Sequence, residues 1–358
     1  MCSKYTYEEE NMRRYDYSFI RGLGIRTGIV SMMNRMEVLK IRQREMKEED
    51  PDAFISLESI ARLQSVKGSN AIEGIVTTDK RMKEIVNENS APLNHDESEI
   101  AGYRDVLDMI HKNHASIEIS EETILRMHEM MLSYTSEDGG RYKDTNNLIA
   151  SIDGEGNRNV VFRPVPSQET KKSMEQLVLA YMDARGDSGI DQMILIPCFI
   201  LDLLCIHPFS DGNGRISRLL SLLMMYKNGI DVGRYISFES QINRYKGNYY
   251  EALRRSSEGW HTNENDHLPF IEDFIFTLFR CFKEVDKRFT VIGDKKINKG
   301  NRVEATVINS LGPISKGDIK EILPDVSSRT IEVKLSELLR EGKIKKKGTF
   351  KDAHYFRL

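Results

Sequence analysis

The chain has 358 residues, enough for about two domains of ordinary length. A 39% hydrophobic fraction beside 30% charged residues is typical of a soluble globular protein with a sizeable core. The composition excludes collagens, mucin-like stalks, secreted disulfide-rich toxins and membrane channels, and the net charge of −3 does not indicate a nucleic-acid-binding protein as a whole.

The beginning of the chain has no apolar core and no small-residue cleavage site, so we expect no signal peptide. The most apolar stretch, residues 193–206, contains Pro197 and Asp202 and is shorter than the ~18 apolar residues that a membrane span needs. It therefore predicts a buried helix. The four cysteines have no metal-binding spacing, so we expect neither a zinc site nor a disulfide framework. These features predict a cytoplasmic protein without a membrane partner.

Apolar residues recur at helical spacing along most of the chain, which predicts a mainly α-helical fold. The clearest patterns are, in chain order, residues 60–72, 100–110, 124–132, 174–181, 193–206, 215–228, 249–255 and 270–282. Ser120 is predicted to cap the helix that contains Ile124, and Gly229 to end the helix that reaches residue 228. Residues 159–166 follow a turn signal at 153–157 and predict a short β-hairpin.

The last part of the chain differs in character. Residues 294–300 predict a charged linker, and residues 301–358 predict a short helix, a second helix capped by Ser327 or Ser328 and closed by Gly342, and two strands at 343–347 and 353–358. This order resembles a winged helix. The segment has 12 Lys and Arg against 8 Asp and Glu. That mild positive charge suits a module that binds DNA and equally one that docks proteins or packs on its own chain.

The chemistry-bearing residues are concentrated in the segment HPFSDGNGRISR, residues 207–218. Gly212, Asn213 and Gly214 allow a tight turn that gathers backbone N–H groups. This turn opens into a predicted helix, whose first N–H groups are unpaired and whose dipole is positive at that end. The pattern therefore predicts a phosphate-binding site.

Side chains beside this turn have the types that phosphate chemistry uses. Arg215 and Arg218 lie three residues apart in the first helical turn, where a cation is disfavoured by ~0.3–1 kcal/mol, which predicts a polyanionic ligand. Asp211 suits a Mg²⁺ ion that bridges phosphate oxygens, and a neutral His207 suits the removal of a proton from an attacking hydroxyl. Each feature alone is explained by ordinary structure; together they favour a site for a phosphate-bearing ligand. His128, in another predicted helix, has no partner that the sequence reveals.

The segment resembles the signature of the Fic family, His-Pro-Phe-x-(Asp/Glu)-Gly-Asn-(Gly/Lys)-Arg-x-x-(Arg/Gly), and every defined position matches. The similarity covers residues 55–285. It implies a helical Fic core with a β-hairpin flap, and the transfer of AMP from ATP to a Ser, Thr or Tyr hydroxyl of a target protein, this chain included, with pyrophosphate leaving.

The resemblance also implies a role for each motif residue. His207 would be the general base, Phe209 the anchor of the loop and Asp211 the Mg²⁺ ligand. Gly212, Asn213 and Gly214 would cradle the phosphates, Arg215 would neutralise the leaving group, and Arg218 would hold the γ-phosphate. The base pocket of the family corresponds to Asn243, Tyr249 and Tyr250, and its flap, which pairs by its backbone with the target, to Val160, Val161 and Phe162.

A second match lies upstream, where SNAIEG, residues 69–74, is similar to the inhibitory motif of the family, (Ser/Thr)-x-x-x-Glu-(Gly/Asn). Ser69 and Glu73 share one helix face because they are four residues apart. The resemblance implies that Glu73 pairs with Arg218 and so draws it away from the γ-phosphate. The alternative is that Glu73 is an ordinary solvated carboxylate.

The predicted organisation is an N-terminal helical region with the inhibitory helix (1–95), a Fic core domain (96–290) and a winged-helix-like domain (301–358). One alternative keeps this scaffold but removes AMP or transfers another phospho group. Another is a regulator that binds DNA or a partner protein through residues 301–358. A homo-oligomer is compatible with either.

Overall fold

A computed structural model describes residues 13–152, 158–291, 293, 295–310, 312–349 and 353–357. The chain divides into two compact units. The first comprises Leu63–Asp231 and Phe238–Leu278 together with the described residues up to Met32. The second comprises Met33–Arg62, Val232–Ser237 and the described residues from Phe279 onward. The domain boundaries expected from the sequence stay a prediction.

The mainly helical prediction is confirmed. The helices are α1 (Thr27–Glu49), α2 (Pro51–Ile72), α3 (Asp79–Glu88), α4 (His95–Asn113), α5 (Glu121–Leu132), α6 (Ser167–Arg185), α7 (Gln192–Ile206), α8 (Asn213–Lys227), α9 (Phe238–Arg244), α10 (Lys246–Ser257), α11 (Leu268–Phe289), α12 (Lys299–Ile308), α13 (Lys316–Ile322) and α14 (Ser328–Arg340). Within the described part of the chain, no helix combines the length and the apolarity that crossing a membrane requires.

The centre of the first unit is formed by α7 and α8, which pack against each other. Every residue of α7 from Met193 to Ile206 is buried, which explains its continuous apolar sequence. Asp191 caps the start of α7 by accepting a hydrogen bond from the Met193 N–H, and Ser120 caps α5 through the Thr123 N–H as predicted. The loop that carries the motif therefore joins two rigid, buried helices.

A β-hairpin precedes this core in the sequence. Strands β1 (Ile149–Ile152) and β2 (Arg158–Phe162) pair antiparallel, with Ala150 opposite Val160. The prediction of a hairpin within 159–166 was wrong in its limits, because β2 pairs back to β1 and residues 163–166 form no strand. Pro164 and Pro166 supply no backbone N–H for a ladder. The predicted turn at 153–157 lies outside the described residues.

The C-terminal part of the second unit has its own apolar core, to which Val303, Ile319 and Leu338 belong. Strands β3 (Ile314–Ser315), β4 (Ile344–Lys347) and β5 (His354–Arg357) form an antiparallel sheet in the order β3-β5-β4. Ser327 caps α14 as predicted. However, α12 begins inside the expected linker with Asn298 as its cap, and β3 was not predicted. The winged-helix assignment stays a prediction.

Candidate active site

The loop between α7 and α8 adopts a sharply constrained backbone. His207 ends α7 in the left-handed region at φ 52°, and Gly212 precedes α8 at φ 79°. Asn213 has a different position from the one expected, because it is the first residue of α8 rather than part of the flexible turn. Its side chain accepts a hydrogen bond from the Phe209 N–H at 2.9 Å and donates one to the Phe209 carbonyl at 2.8 Å. Asn213 therefore closes the loop by side-chain bonds.

Phe209 is fully buried, as the resemblance implied, and its ring stacks on His128 with centroids 3.8 Å apart. His128 has two further partners that the sequence did not reveal. The Gly140 N–H donates to His128 Nδ1 at 3.1 Å, and His128 Nε2 lies 3.2 Å from the Asp211 carbonyl. These contacts fit a neutral imidazole that carries its proton on Nε2. His128 therefore supports the loop through its contacts with Phe209 and Asp211.

The N-terminus of α8 faces a carboxylate. Arg218 donates from Nε to Ser69 Oγ at 2.8 Å, and from Nη2 to the Ser69 carbonyl at 3.1 Å and to Glu73 Oε1 at 2.7 Å. Its side chain is only 3% exposed. A Cβ atom added to Gly214 would lie 2.3 Å from Glu73 Oε1. The Glu73 carboxylate thus lies directly against the first turn of α8, where the sequence predicted a bound phosphate.

Arg215 points to a second acidic group that sequence reasoning missed. Its guanidinium pairs with Asp211 at 2.7 Å and with Glu99 of α4 at 3.2 Å. Burial raises the pKa of Glu99, and the nearby Arg215 partly opposes this rise. Nothing in the sequence marked Glu99, since it is one of several acidic residues at the start of α4 and more than a hundred positions from Arg215.

His207 lies at the start of the motif loop, directly after α7. Burial lowers its pKa to about 4, and its Nδ1 lies 3.3 Å from the Leu204 carbonyl. At neutral pH the ring is therefore uncharged. With the proton held on Nδ1 by that carbonyl, Nε2 keeps a free lone pair, which is the state a general base requires.

One cavity of about 680 Å³ collects most of the predicted site residues. Its lining includes His207, Gly214, Arg218, Glu73, Tyr249 and Tyr250, together with Val161 and Phe162 of the hairpin. Among the described lining residues, neither Asn243 nor Val160 occurs. Val160 instead borders a neighbouring hollow of about 400 Å³. The cavity therefore brings His207, Gly214 and Arg218 of the motif together with Glu73 and the two tyrosines. Asn243 and four predicted motif residues do not line it: Asp211, Gly212, Asn213 and Arg215.

No group of three or more His, Cys, Asp or Glu side chains in the described part of the chain is arranged to hold a metal ion. Asp211 nevertheless presents a carboxylate at the loop, and its side chain is 60% exposed. A single carboxylate of this kind suits Mg²⁺, which takes few protein oxygens and completes its shell with phosphate oxygens and water.

Comparison with known proteins agrees with this geometry. Residues 118–225 match the model of the Fic/DOC family. Residues 118–225 therefore form a Fic domain. The matched range contains α5 with His128, the hairpin, α7, the motif loop and almost all of α8. Ser69 and Glu73 lie upstream of it.

Two individual proteins with different names match parts of the chain. The protein adenylyltransferase Fic of Nematostella vectensis is 25% identical over 224 residues, 59% of this chain. A short match, 36% identical over 80 residues or 19% of this chain, is to the ribonucleoside-diphosphate reductase small chain of Ostreid herpesvirus 1 (isolate France). The matches span 45% and 14% of the lengths of these two proteins.

Among solved structures, a Fic family protein from Desulfovibrio desulfuricans G20 has a TM-score of 0.60 to this chain and is 20% identical. The match covers 94% of this chain and 97% of the other. The two proteins share a fold over nearly their whole lengths.

Proposed function

We propose that this chain transfers AMP from ATP to a hydroxyl group of a protein. The observation that carries the proposal is the cavity in which a neutral His207, the N-terminus of α8 and Arg218 face one space. The Nematostella vectensis relative is named a protein adenylyltransferase, which supports the same reaction.

In this reaction the target oxygen forms a bond to the α-phosphorus, the bond between that phosphorus and the bridging oxygen breaks, and pyrophosphate leaves. His207 Nε2 takes the proton of the attacking hydroxyl. The first N–H groups of α8 and the Arg215 guanidinium bind phosphate oxygens, and Arg218 holds the terminal phosphate. Tyr249 and Tyr250, whose ring centroids lie 5.4 Å apart, form one wall of the base pocket.

Asp211 is the residue that would hold Mg²⁺, as its exposed carboxylate and the hard-oxygen preference of the ion indicate. A bound Mg²⁺ would neutralise charge on the phosphates. Arg215, which forms an ion pair with Asp211, contributes its positive charge to the same phosphates.

We further propose that the described conformation is autoinhibited by Glu73. The carboxylate lies against Gly214 and binds Arg218. It therefore occupies the place where a phosphate would bind at the N-terminus of α8, and it pairs with the arginine that would otherwise bind the terminal phosphate. Like charges cannot share this position, so ATP binds productively only after Glu73 moves away.

The test is transfer of label from α-labelled ATP with Mg²⁺, with the chain itself and lysate proteins as acceptors. We expect Glu73→Gly to raise labelling by about tenfold or more over the native chain, since a tenfold change needs only ~1.4 kcal/mol. Glu175→Gly, which puts the same substitution into an exposed position of α6, serves as the control and should leave labelling unchanged.

Glu73→Gly/His207→Ala should be inactive, and activity in this double variant would contradict the role of His207 as the base. No labelling by any variant would contradict AMP transfer. Release of AMP from a previously labelled protein by the native chain would instead favour the reverse reaction on the same scaffold.

A second candidate function, DNA binding by the C-terminal part of the second unit, rests on the distribution of ion pairs. Its acidic groups are largely paired: Glu332 with Lys316, Glu337 with Lys334, and Glu341 with Lys343. By contrast, no ion pair among the described residues involves the exposed Lys345, Lys346 and Lys347 of β4. Unpaired cations beside neutralised carboxylates suit contacts with phosphates.

A further inference from the structure

The short segment between α5 and the hairpin contacts the motif loop through an unusual set of hydrogen bonds. The Lys143 N–H donates to the Pro208 carbonyl at 2.9 Å, and Lys143 Nζ donates to the Ile206 carbonyl at 3.1 Å. Asn147 Nδ2 donates to the Phe209 carbonyl at 3.1 Å. Three backbone carbonyls on both sides of His207 are therefore held from one segment.

Lys143 also orders Asn147, because Nζ donates to Asn147 Oδ1 at 2.9 Å. We call these two residues the clamp. They lie just before β1, so the same few residues fix the loop and begin the hairpin that borders the cavity. The position of the base relative to the hairpin thus depends on the clamp.

The charge of Lys143 needs an explanation, since burying an ammonium is costly. Lys143 is only 4% exposed, and no carboxylate among the described residues lies within ion-pair distance of its Nζ. Burial lowers the pKa of Lys143 to about 8, a value at which the group stays mostly charged at neutral pH. The carbonyl of Ile206, at the negative end of α7, partly compensates the cost.

The cation lies close enough to His207 to affect its titration. Three charged groups act on this imidazole: Lys143 lowers its pKa, whereas Glu73 and Asp211 raise it. Burial is the larger cause of the low pKa, and the Lys143 charge works in the same direction. A methionine side chain could fill the same space without the cost of burying an ammonium group. Packing alone therefore does not explain why a charged residue lies at this position.

We propose that Lys143 is a positioning residue for His207: together with Asn147 it fixes the backbone of residues 206–209, and it places a buried positive charge against the loop that carries the base. The inference rests on the proposed function, because it gives His207 the role of general base.

Steady-state AMP transfer by Lys143→Met, Lys143→Arg and Asn147→Ala, each combined with Glu73→Gly, tests it. We expect Lys143→Met to lower kcat by about 10- to 100-fold with little change in KM for ATP, because a small displacement of a base is enough for such a loss. The acidic limb of its pH–rate profile should also move to higher pH. Lys172→Met, at an exposed position of α6, is the matched control and should change neither quantity.

The other two variants separate the hydrogen bonds from the charge. Lys143→Arg keeps the cation, so its acidic limb should stay where Glu73→Gly has it. Asn147→Ala loses one loop contact and keeps the cation, so kcat should fall without movement of the limb. A folded Lys143→Met variant with unchanged kcat and unchanged limb would overturn the proposal, as would equal pH–rate profiles for the Met and Arg variants.

Failure of the proposed function gives a different result. If Glu73→Gly transfers no AMP, the His207 imidazole can still be titrated by NMR in the native chain and in Lys143→Met. A rise in the pKa of His207 on loss of Lys143 supports the positioning role independently of activity. If Lys143→Met does not fold, the kcat values of Lys143→Arg and Asn147→Ala test the proposal. An unchanged kcat in both variants would overturn the positioning role of Lys143.

Discussion

The motif loop contains the half-buried His207 and rests on the buried His128, and desolvation lowers the pKa of each to about 4. His207 faces the cavity and carries the proposed chemistry, while His128 stacks on Phe209 and contacts the Asp211 carbonyl. Both rings are neutral in the folded protein at neutral pH. An unfolded histidine, by contrast, takes up a proton near pH 6.5.

This difference predicts acid sensitivity of the first unit. Between pH 6.5 and 4 the unfolded chain binds more protons at His128 than the folded chain does, so the free energy of unfolding falls as pH is lowered through this window. For His128 the loss should reach ~2 kcal/mol by pH 4.5. Urea unfolding at several pH values measures it.

The controls for this prediction keep the ring stack or remove an exposed histidine. His128→Phe retains a ring against Phe209 but cannot titrate, so its stability should depend less steeply on pH although its stability at pH 7 is lower. His95→Phe removes a histidine whose side chain is 58% exposed, and it should change the slope less than His128→Phe does. Equal slopes for all three proteins would contradict the assignment of the acid sensitivity to His128.

At the level of single residues, the sequence predicted the motif itself but not the residues that contact the motif loop from other segments. The types and spacing at 207–218 indicated a base, a phosphate turn and two arginines because those features are local. Glu99, His128 and Lys143 act on the loop from distant segments, and no local pattern identifies a contact formed only on folding. Asn213 shows a related limit, since its position in the motif did not reveal that its side chain bonds to Phe209.

Among the elements, the hairpin of β1 and β2 has the clearest unmet pairing capacity. The sheet has two strands, so within the described residues each strand has an edge without a partner strand. Val160 is 49% exposed and Val161 39% exposed, and Val161 also lines the cavity. An extended segment of a target protein could add to such an edge through backbone hydrogen bonds.

This arrangement predicts a separation of target docking from ATP binding. In the Glu73→Gly background, Val160→Pro should strongly reduce labelling of protein targets, because proline removes a backbone N–H and disturbs the strand. ATP binding should stay within about twofold, since Val160 does not line the cavity with His207 and Arg218. Equilibrium binding of ATP and transfer of label measure the two quantities.

Val160→Thr is the matched control, since it preserves both the N–H and the β-branched shape. It should retain labelling. Loss of ATP binding in Val160→Pro would show that the hairpin supports the nucleotide site itself, and full labelling by this variant would exclude docking on β2.

The helices that the sequence predicted repeat their apolar period over several turns. Helix α1 has 23 residues but was not predicted, because polar residues dominate its sequence and its apolar residues follow no helical period. The other elements that the sequence placed poorly are short or depend on a partner. Strand β3 has two residues and therefore no period to detect. Strand β1 was not predicted, and the structure defines it by its pairing with β2. The start of α12 was hidden because a charged sequence with an asparagine cap resembles a linker.

Across the whole molecule, charge is unevenly distributed. The chain has a net charge of −3, and residues 301–358 have four more basic than acidic residues, so the first 300 residues carry −7. The unpaired lysines of β4 belong to the positive part. Strand β4 is also an edge strand of its sheet, where lysines discourage pairing with other sheets, so their presence alone does not decide between the two roles.

The salt dependence of duplex DNA binding by the full chain distinguishes these roles. If Lys345, Lys346 and Lys347 contact phosphates, each displaces about 0.9 of a counterion, so replacing all three by Gln should reduce the slope of log K against log salt by about 3. Replacing Lys80, Lys171 and Lys172, exposed lysines of the first unit, by Gln changes the net charge equally and should leave the slope nearly unchanged. If both triple substitutions changed the slope equally, or if the chain bound no DNA at low salt, the β4 lysines would be assigned the role of preventing β4 from pairing with other sheets. A selective change in slope would instead assign DNA binding to the positively charged residues 301–358, apart from the cavity proposed for AMP transfer.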